Sequence, residues 1–272
     1  MKILSFRSAT LLFFLLLLTF NLVNIFLCPC RSGIIGYFCH HRSLFYIPLG
    51  MTYLIVPVML SFLPGTQFHY RPVICRGSRS PRWVALTFDD GPDPGLTPAI
   101  LETLEKYNLQ ATFFLIGKKI AGNESLIKSM SDKGHTLANH SFSHTNLWDF
   151  WMPARIHHDL EKTEKLLLHH TGKRVRFFRP PYGVINPMVS IALQKTDYEV
   201  ICWSRWSLDT TTGNRNKLIS RTTYRIRPGD IILLHDTQQV TANALEQVIL
   251  SIHQQGFAIV PLEKLINKPA YA

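Results

Sequence analysis

The chain has 272 residues, 46% of them hydrophobic, and a formal net charge of +11. This length allows one substantial domain plus something extra. Residues 1–83 hold eight basic residues and no acidic one, leaving 21 basic against 18 acidic residues in the remainder. The positive charge is therefore not spread over a nucleic-acid-binding surface, and no basic-aromatic motif accompanies it.

The first 63 residues read as a membrane-anchoring region. No charge falls between Arg7 and Arg31, or between Arg42 and Arg71. The apolar stretches in those gaps, 9–27 and 44–63, are each long enough to cross a hydrocarbon core of about 30 Å as a helix. Neither has a short apolar region followed by a small-residue cleavage site, so a removed signal peptide is the weaker reading of the first. Pro48 and Pro57 would kink the second. Between them, Cys28, Cys30 and Cys39 stand near His40 and His41 without a standard zinc spacing; a disulfide, a metal site and simple packing near a membrane surface all remain open. Residues 64–82, rich in Arg, Pro, Gly and Ser, read as a basic linker.

From residue 83 onward the pattern changes to short apolar runs alternating with amphipathic stretches. Strands are expected at 84–88, 111–116, 135–139, 176–178, 199–204, 231–234 and 258–260. Helices are expected at 97–107, 118–133, 153–170, 187–195, 217–224 and 242–254. Strand–helix alternation with buried strands argues for a parallel sheet, open or closed into a barrel. The polar clusters follow strands: Asp89 and Asp90, His140 and His144, Arg179, Asp209, and His235. Active sites in parallel α/β folds collect at the carboxyl ends of strands, so these residues are expected at one mouth.

Four of these clusters carry recognisable chemistry. Asp89-Asp90-Gly91-Pro92 sets two carboxylates side by side, which needs a compensating cation or proton, although such a turn is common. His140-Ser-Phe-Ser-His144 can aim two imidazoles at one ion or be a surface feature; with a carboxylate from the first strand it makes a two-His, one-carboxylate set with room for water. His157/His158 and His169/His170, on a polar helix, read as solvated. Arg179-Pro-Pro-Tyr182-Gly183 is either a rigid turn or a means of presenting the Tyr182 N–H to a developing oxyanion, with Arg179 holding a carboxylate ionised. His235 at the end of an apolar strand suits a general acid or base.

In this order, TFDDGP, HSFSH, RPPYG and LLHD resemble the polysaccharide deacetylase family, the NodB-homology group (carbohydrate esterase family 4), over residues 82–262 or so. The resemblance implies an α/β fold, a distorted (β/α) barrel of seven strands, with 83–272 as the catalytic domain; the apolar stretches before it add one or two transmembrane helices. It also implies a divalent metal, commonly Zn²⁺, and an N-acetylated saccharide substrate. By the same resemblance Asp90, His140 and His144 are the metal ligands and Asp89 is the catalytic base. Arg179 orients Asp89, the Tyr182 backbone supports the oxyanion, and His235 protonates the leaving amine.

Where the family has an Asp-x-x-Asp-Trp stretch, the chain reads Trp206-Ser-Leu-Asp209-Thr210. The second Asp survives as Asp209, assigned to His235; the first Asp and the Trp are replaced, which alters the pocket wall. The expected function is hydrolysis of the N-acetyl group of an amino sugar in a polysaccharide, peptidoglycan or lipid-linked saccharide. The alternative is a catalytically silent, membrane-bound carbohydrate-binding module. Expected partners are the saccharide and the lipid bilayer, with no nucleic acid and no identifiable protein. The expected location is a membrane, the bacterial cytoplasmic (inner) membrane. Its side stays open: flanking charge argues for the cytoplasm, and the family resemblance for exported polymers.

Overall fold

The computed structural model describes residues 6–27, 43–63, 65–70 and 72–272; Cys28, Cys30, Cys39, His40 and His41 lie outside them. Two apolar helices come first, α1 (Phe6–Leu27) and α2 (Ser43–Ser61). They pack through stacked rings, Phe13 on Tyr53 at 4.1 Å and Phe20 on Phe45 at 3.7 Å. The Tyr46 hydroxyl donates to Asn21 Oδ1 across the pair (2.7 Å). Leu44–Ser61 is long and apolar enough to cross a membrane by length and composition, and only 6% of it is buried.

The rest of the chain is built on nine short strands: β1 (Val73–Ile74), β2 (Trp83–Asp89), β3 (Thr112–Leu115), β4 (Thr136–Asn139), β5 (Phe177–Phe178), β6 (Glu199–Ile201), β7 (Arg205–Trp206), β8 (Ile231–His235) and β9 (Ala258–Ile259). Eight of them lie in the order β1-β6-β5-β4-β3-β2-β8-β7, and β9 pairs with the start of β2. All pairings between these strands are parallel. The count exceeds the seven strands expected because β1 and β7 are two-residue strands made by their neighbours. Val73–Ile74 lies inside the stretch read from composition as a linker, and pairs with Val200 and Ile201. The segment 199–206 pairs first with β5 and β1, then with β8, so the sheet curls back toward its own beginning. This geometry is consistent with a distorted (β/α) barrel.

Alternation along the strands separates two cores. Val84, Leu86 and Phe88 of β2 pack outward with Phe113, Leu115, Phe178 and Leu234 against the helices. Ala85 faces inward with Phe114, Ala138, Phe177 and Ile201, in a smaller core floored by Leu262 and Leu265. A strand buried on both faces reads as a nearly continuous apolar run, which is why β2, β3 and β8 stand out in the sequence. Outside lie α3 (Thr97–Lys106), α4 (Glu124–Asp132), α5 (Pro153–Thr171), α6 (Pro187–Leu193), α7 (Arg215–Thr223) and α8 (Gln239–Gln254), with α9 (Leu262–Ile266) last. On α8, Thr241, Ala244, Leu245, Val248, Ile249 and Ile252 are buried, the spacing of one helical face. Asn186 caps α6, accepting from the N–H groups of Met188 and Val189.

Two tethers hold the amino-terminal part of the domain. The Ile185 N–H donates to the Ser61 carbonyl (3.3 Å), and Ser190 Oγ to the His69 carbonyl (2.7 Å). Further on, Arg76 Nη2 pairs with the buried Asp230 Oδ1 (2.9 Å), tying the end of β1 to the start of β8. Asp230 also accepts from Ser204 Oγ and from the Arg227 N–H. Removing this carboxylate strands a half-buried guanidinium, so Asp230→Ala is expected to cost about 3 kcal/mol. Thermal unfolding in detergent, followed by circular dichroism, should show a midpoint lower by roughly 10 °C.

Candidate active site

Inward-facing positions of β2 lead from Ala85 through Thr87 to Asp89, so strand alternation delivers the Asp89 carboxyl to the carboxyl-end mouth. Asp89 is 3% exposed and Arg179 is fully buried. Arg179 Nη1 donates to Asp89 Oδ1 (2.6 Å) and to Thr87 Oγ1 (3.0 Å). Its other donors reach the carbonyls of Ile201 (3.3 Å) and Cys202 (3.0 Å), and its plane lies 4.1 Å from the Phe114 ring. A buried cation bonded to this many acceptors holds the carboxyl beside it in one place.

Asp90, His140 and His144 converge, their ligating atoms all within 4.8 Å of one another. Asp90 Oδ1 lies 3.5 Å from His140 Nε2 and 3.3 Å from His144 Nε2. His140 Nδ1–H donates to the Arg179 carbonyl (2.7 Å), which fixes the tautomer and frees Nε2 for an ion. Burial, then the neighbouring His140, lowers the His144 pKa to about 4, so this imidazole is neutral at physiological pH, as a ligand must be. Burial pushes the Asp90 carboxyl up. The imidazoles of His140, His144 and His235 that face it outweigh burial and hold Asp90 below the usual carboxylate range. This donor set suits a divalent ion of the zinc type. It is the sole such cluster of three among the described residues.

His235 is the last residue of β8 and stands directly across from Asp89. Its Nδ1–H donates to Asp209 Oδ1 and its backbone N–H to Asp209 Oδ2, both at 2.7 Å. Thr241 Oγ1 also donates to Asp209 Oδ2 (2.7 Å). Burial pulls the His235 pKa down, but the bond to Asp209 and the charges of Asp209, Asp89 and Asp90 win and raise it to about 9. His235 Nε2 faces Asp90 Oδ2 at 4.0 Å, so the group lines the same mouth.

Tyr182 follows Pro180 and Pro181 in a left-handed conformation (φ 57°). Its N–H has no acceptor among the described residues, and its ring is 5.0 Å from that of His144. Asp90 (φ 74°) and His144 (φ 45°) share this sparsely populated region. Such strain at three neighbouring positions persists only where the surroundings over-determine the backbone. All eight residues singled out in the sequence thus lie around one mouth.

Other groups that shape this mouth were given no role from the sequence, although Asp236 ends the LLHD motif. Asp159 on α5 accepts from the Phe142 N–H and from Trp148 Nε1, both at 2.9 Å, and so pins the loop between the two histidines. Asn139 accepts from the Ser141 N–H and donates to the Leu160 carbonyl. Asp236, wholly buried, accepts from Thr97 Oγ1 (2.6 Å), and burial raises its pKa to about 7. It sits under Gly91, where a β-carbon would come within 2.1 Å of Asp236 Oδ2, so that turn position admits glycine alone. A separate groove of about 470 Å³ on the flank, lined by Glu164, Arg174 and Tyr198, holds no comparable set.

The polysaccharide deacetylase family model matches residues 76–201. The chain is 31% identical over 185 residues to the peptidoglycan-N-acetylglucosamine deacetylase PgdA of Listeria monocytogenes, which covers 68% of this chain but only 39% of that protein. It is 32% identical over 224 residues to a chitooligosaccharide deacetylase of Bradyrhizobium sp., covering 76% of this chain and 100% of the relative. Among solved structures, the Bc1960 peptidoglycan N-acetylglucosamine deacetylase superposes with a TM-score of 0.68 at 30% identity, over 74% of this chain and 95% of the other. The chain belongs to the polysaccharide deacetylase family.

The His235–Asp209 pair has a measurable signature. With a folded pKa near 9 against about 6.5 in the unfolded chain, its contribution to stability is full below pH 6.5 and is lost as pH rises through 9. In the metal-free protein, NMR titration of the His235 imidazole should give a midpoint near 9. Asp209→Asn should bring that midpoint to 6.5 or lower, and should abolish the fall in stability across this window.

Proposed function

We propose that the protein is a metal-dependent hydrolase that removes the N-acetyl group of an amino sugar, anchored to a membrane by its amino-terminal helices. One observation carries the reading: a set of three candidate ion ligands, a carboxylate held by a buried arginine and a proton-bearing histidine share one mouth. Asp90, His140 and His144 would hold the ion. A divalent ion there supplies Lewis acidity, polarising the acetamide carbonyl and acidifying water.

The remaining chemistry is derived from the side chains. Asp89, held in place by Arg179, takes the proton from the attacking water. The Tyr182 N–H, which follows two prolines and has no acceptor among the described residues, donates to the carbonyl oxygen as charge develops there. His235, protonated at neutral pH through Asp209, gives its proton to the departing amine nitrogen. Base and acid stand on neighbouring strands, Asp89 opposite His235, so the proton is accepted and returned across the width of one strand pair.

The membrane reading is supported by the apolar surface of α2. Leu54, Val58 and Met59 are more than half exposed, although they lie on a helix without any charge. In water such a surface is unfavourable by about 25 cal/mol per Å², and a bilayer removes that cost. The full chain is expected to stay with the membrane fraction after extraction at alkaline pH; release into the supernatant would contradict the anchor.

His140→Ala and His144→Ala should each lose the bound ion together with at least about 100-fold of acetate release. Asp89→Asn should keep the ion and lose about 10²–10⁴-fold in turnover, while Asp90→Asn should weaken ion binding itself. Elemental analysis alongside acetate release from a panel of acetylated saccharides separates these outcomes. A wild-type protein with stoichiometric metal and no turnover on any saccharide would instead be a silent binding module.

A further inference from the structure

The catalytic mouth and the apolar helix α2 meet at the same end of the domain. The Arg179–Gly183 loop forms one wall of the mouth, and two residues beyond it Ile185 donates to the Ser61 carbonyl at the end of α2. Asn186, the next residue, donates from Nδ2 to the Asp149 carbonyl (2.6 Å). The Tyr182 hydroxyl donates to Asn146 Oδ1 (3.1 Å). The turn 146–152 is therefore held between the His144 imidazole on one side and the foot of α2 on the other.

That turn carries three exposed apolar side chains. Leu147 is 65% exposed, Phe150 64% and Met152 72%. Its one acidic side chain, Asp149, is buried. Just beyond, the Arg155 guanidinium lies 3.6 Å over the Trp151 ring. Three large apolar side chains exposed within six residues beside an active site mark an interaction surface. Leu and Met offer neither a flat ring nor a hydrogen bond to a sugar. A Trp–Arg pair at the rim, with no exposed acid nearby, fits the headgroup region of an anionic bilayer. Across the mouth, Trp206 is 48% exposed and leans on Trp203 at 5.9 Å, adding apolar wall where the family pattern has an acid.

We propose that this rim rests on the bilayer surface, so that the mouth opens onto lipid headgroups, and that the substrate is an N-acetyl amino sugar carried on a membrane-embedded lipid phosphate. The proposal rests on the deacetylase and membrane readings above. It adds that the sugar reaches Asp90, His140 and His144 without its lipid leaving the membrane. A long polymer strand would instead have to pass between the domain and the bilayer.

The test uses the full chain in anionic lipid nanodiscs. Wild-type emission should be quenched by lipids brominated near the carbonyl end of their acyl chains, and the quenching should shrink in Trp151→Phe; equal quenching of the two proteins would overturn the rim contact. Turnover of the metal-loaded protein is then compared on a polyprenyl-phosphate-linked N-acetylglucosamine in the disc and on a soluble N-acetylglucosamine oligosaccharide. The combined variant Leu147→Ser, Phe150→Ser and Met152→Ser should lose at least tenfold on the lipid-linked substrate and keep its rate on the soluble one. Equal loss on both would make the rim a sugar subsite, and no loss on either would make it idle; each overturns the proposal. Acetate release from neither substrate by the wild type would defeat the deacetylase reading, while the quenching comparison still decides whether the rim touches lipid.

Discussion

Everything around the mouth depends on one buried ion pair, Arg179 with Asp89. A guanidinium with no exposure must find a partner for each donor, because an unsatisfied buried charge costs several kcal/mol. Arg179 finds them on β2, at Thr87 and Asp89, and at the carbonyls of Ile201 and Cys202. Satisfying this one side chain therefore brings β5, β2 and the end of β6 together across the inside of the curl. Its own carbonyl receives the His140 Nδ1–H, so the residue that holds Asp89 also sets the tautomer of His140. A loss of geometry at Arg179 would be felt by both functions at once.

The same site puts two histidines to opposite uses by environment alone. His144 has burial and a neighbouring imidazole against it and is driven to the neutral form. His235 is buried too, but a carboxylate with its lone pairs aimed at both the ring and the backbone keeps it protonated. Groups of one type pushed to opposite protonation states can act as ligand and as acid at a single pH. The separation depends on Asp209, and Asp209 depends in turn on Thr241 at the start of α8.

Much of this arrangement was legible in the sequence, for identifiable reasons. β2, β3 and β8 are apolar on both faces, so they appear as unbroken runs whatever their neighbours. The site residues end those runs, and the parallel topology turns a sequence position into a place at the mouth. The two-residue strands β1 and β7 were not legible. Val73–Ile74 has no periodicity of its own and is extended because Val200 and Ile201 lie beside it. Asp159, Asn139 and Asp236 were missed for a related reason: each acts through a bond to a distant element, and their residue types are common in turns and helices. Asp209 was found through alignment to a motif of which only that carboxylate remains, and the structure brings it to His235.

The segment 199–206 has a consequence for how the domain comes into being. It must pair with β5 and β1 on one side and with β8 on the other, and β8 lies later in the chain. The ring of strands cannot close until residues 231–235 are available, and Arg76 waits equally long for Asp230. Contacts of such sequence separation form late and slowly, since loop-closure entropy must be spent before they return anything. During synthesis the first two helices thus exist well before the catalytic mouth does. Arg179, His140 and His144 precede β8 in the chain, so the partners of Asp89 and Asp90 are made while His235 is still missing. The mouth is complete only once β8 has been made, and a chain that stops short of it lacks His235 altogether.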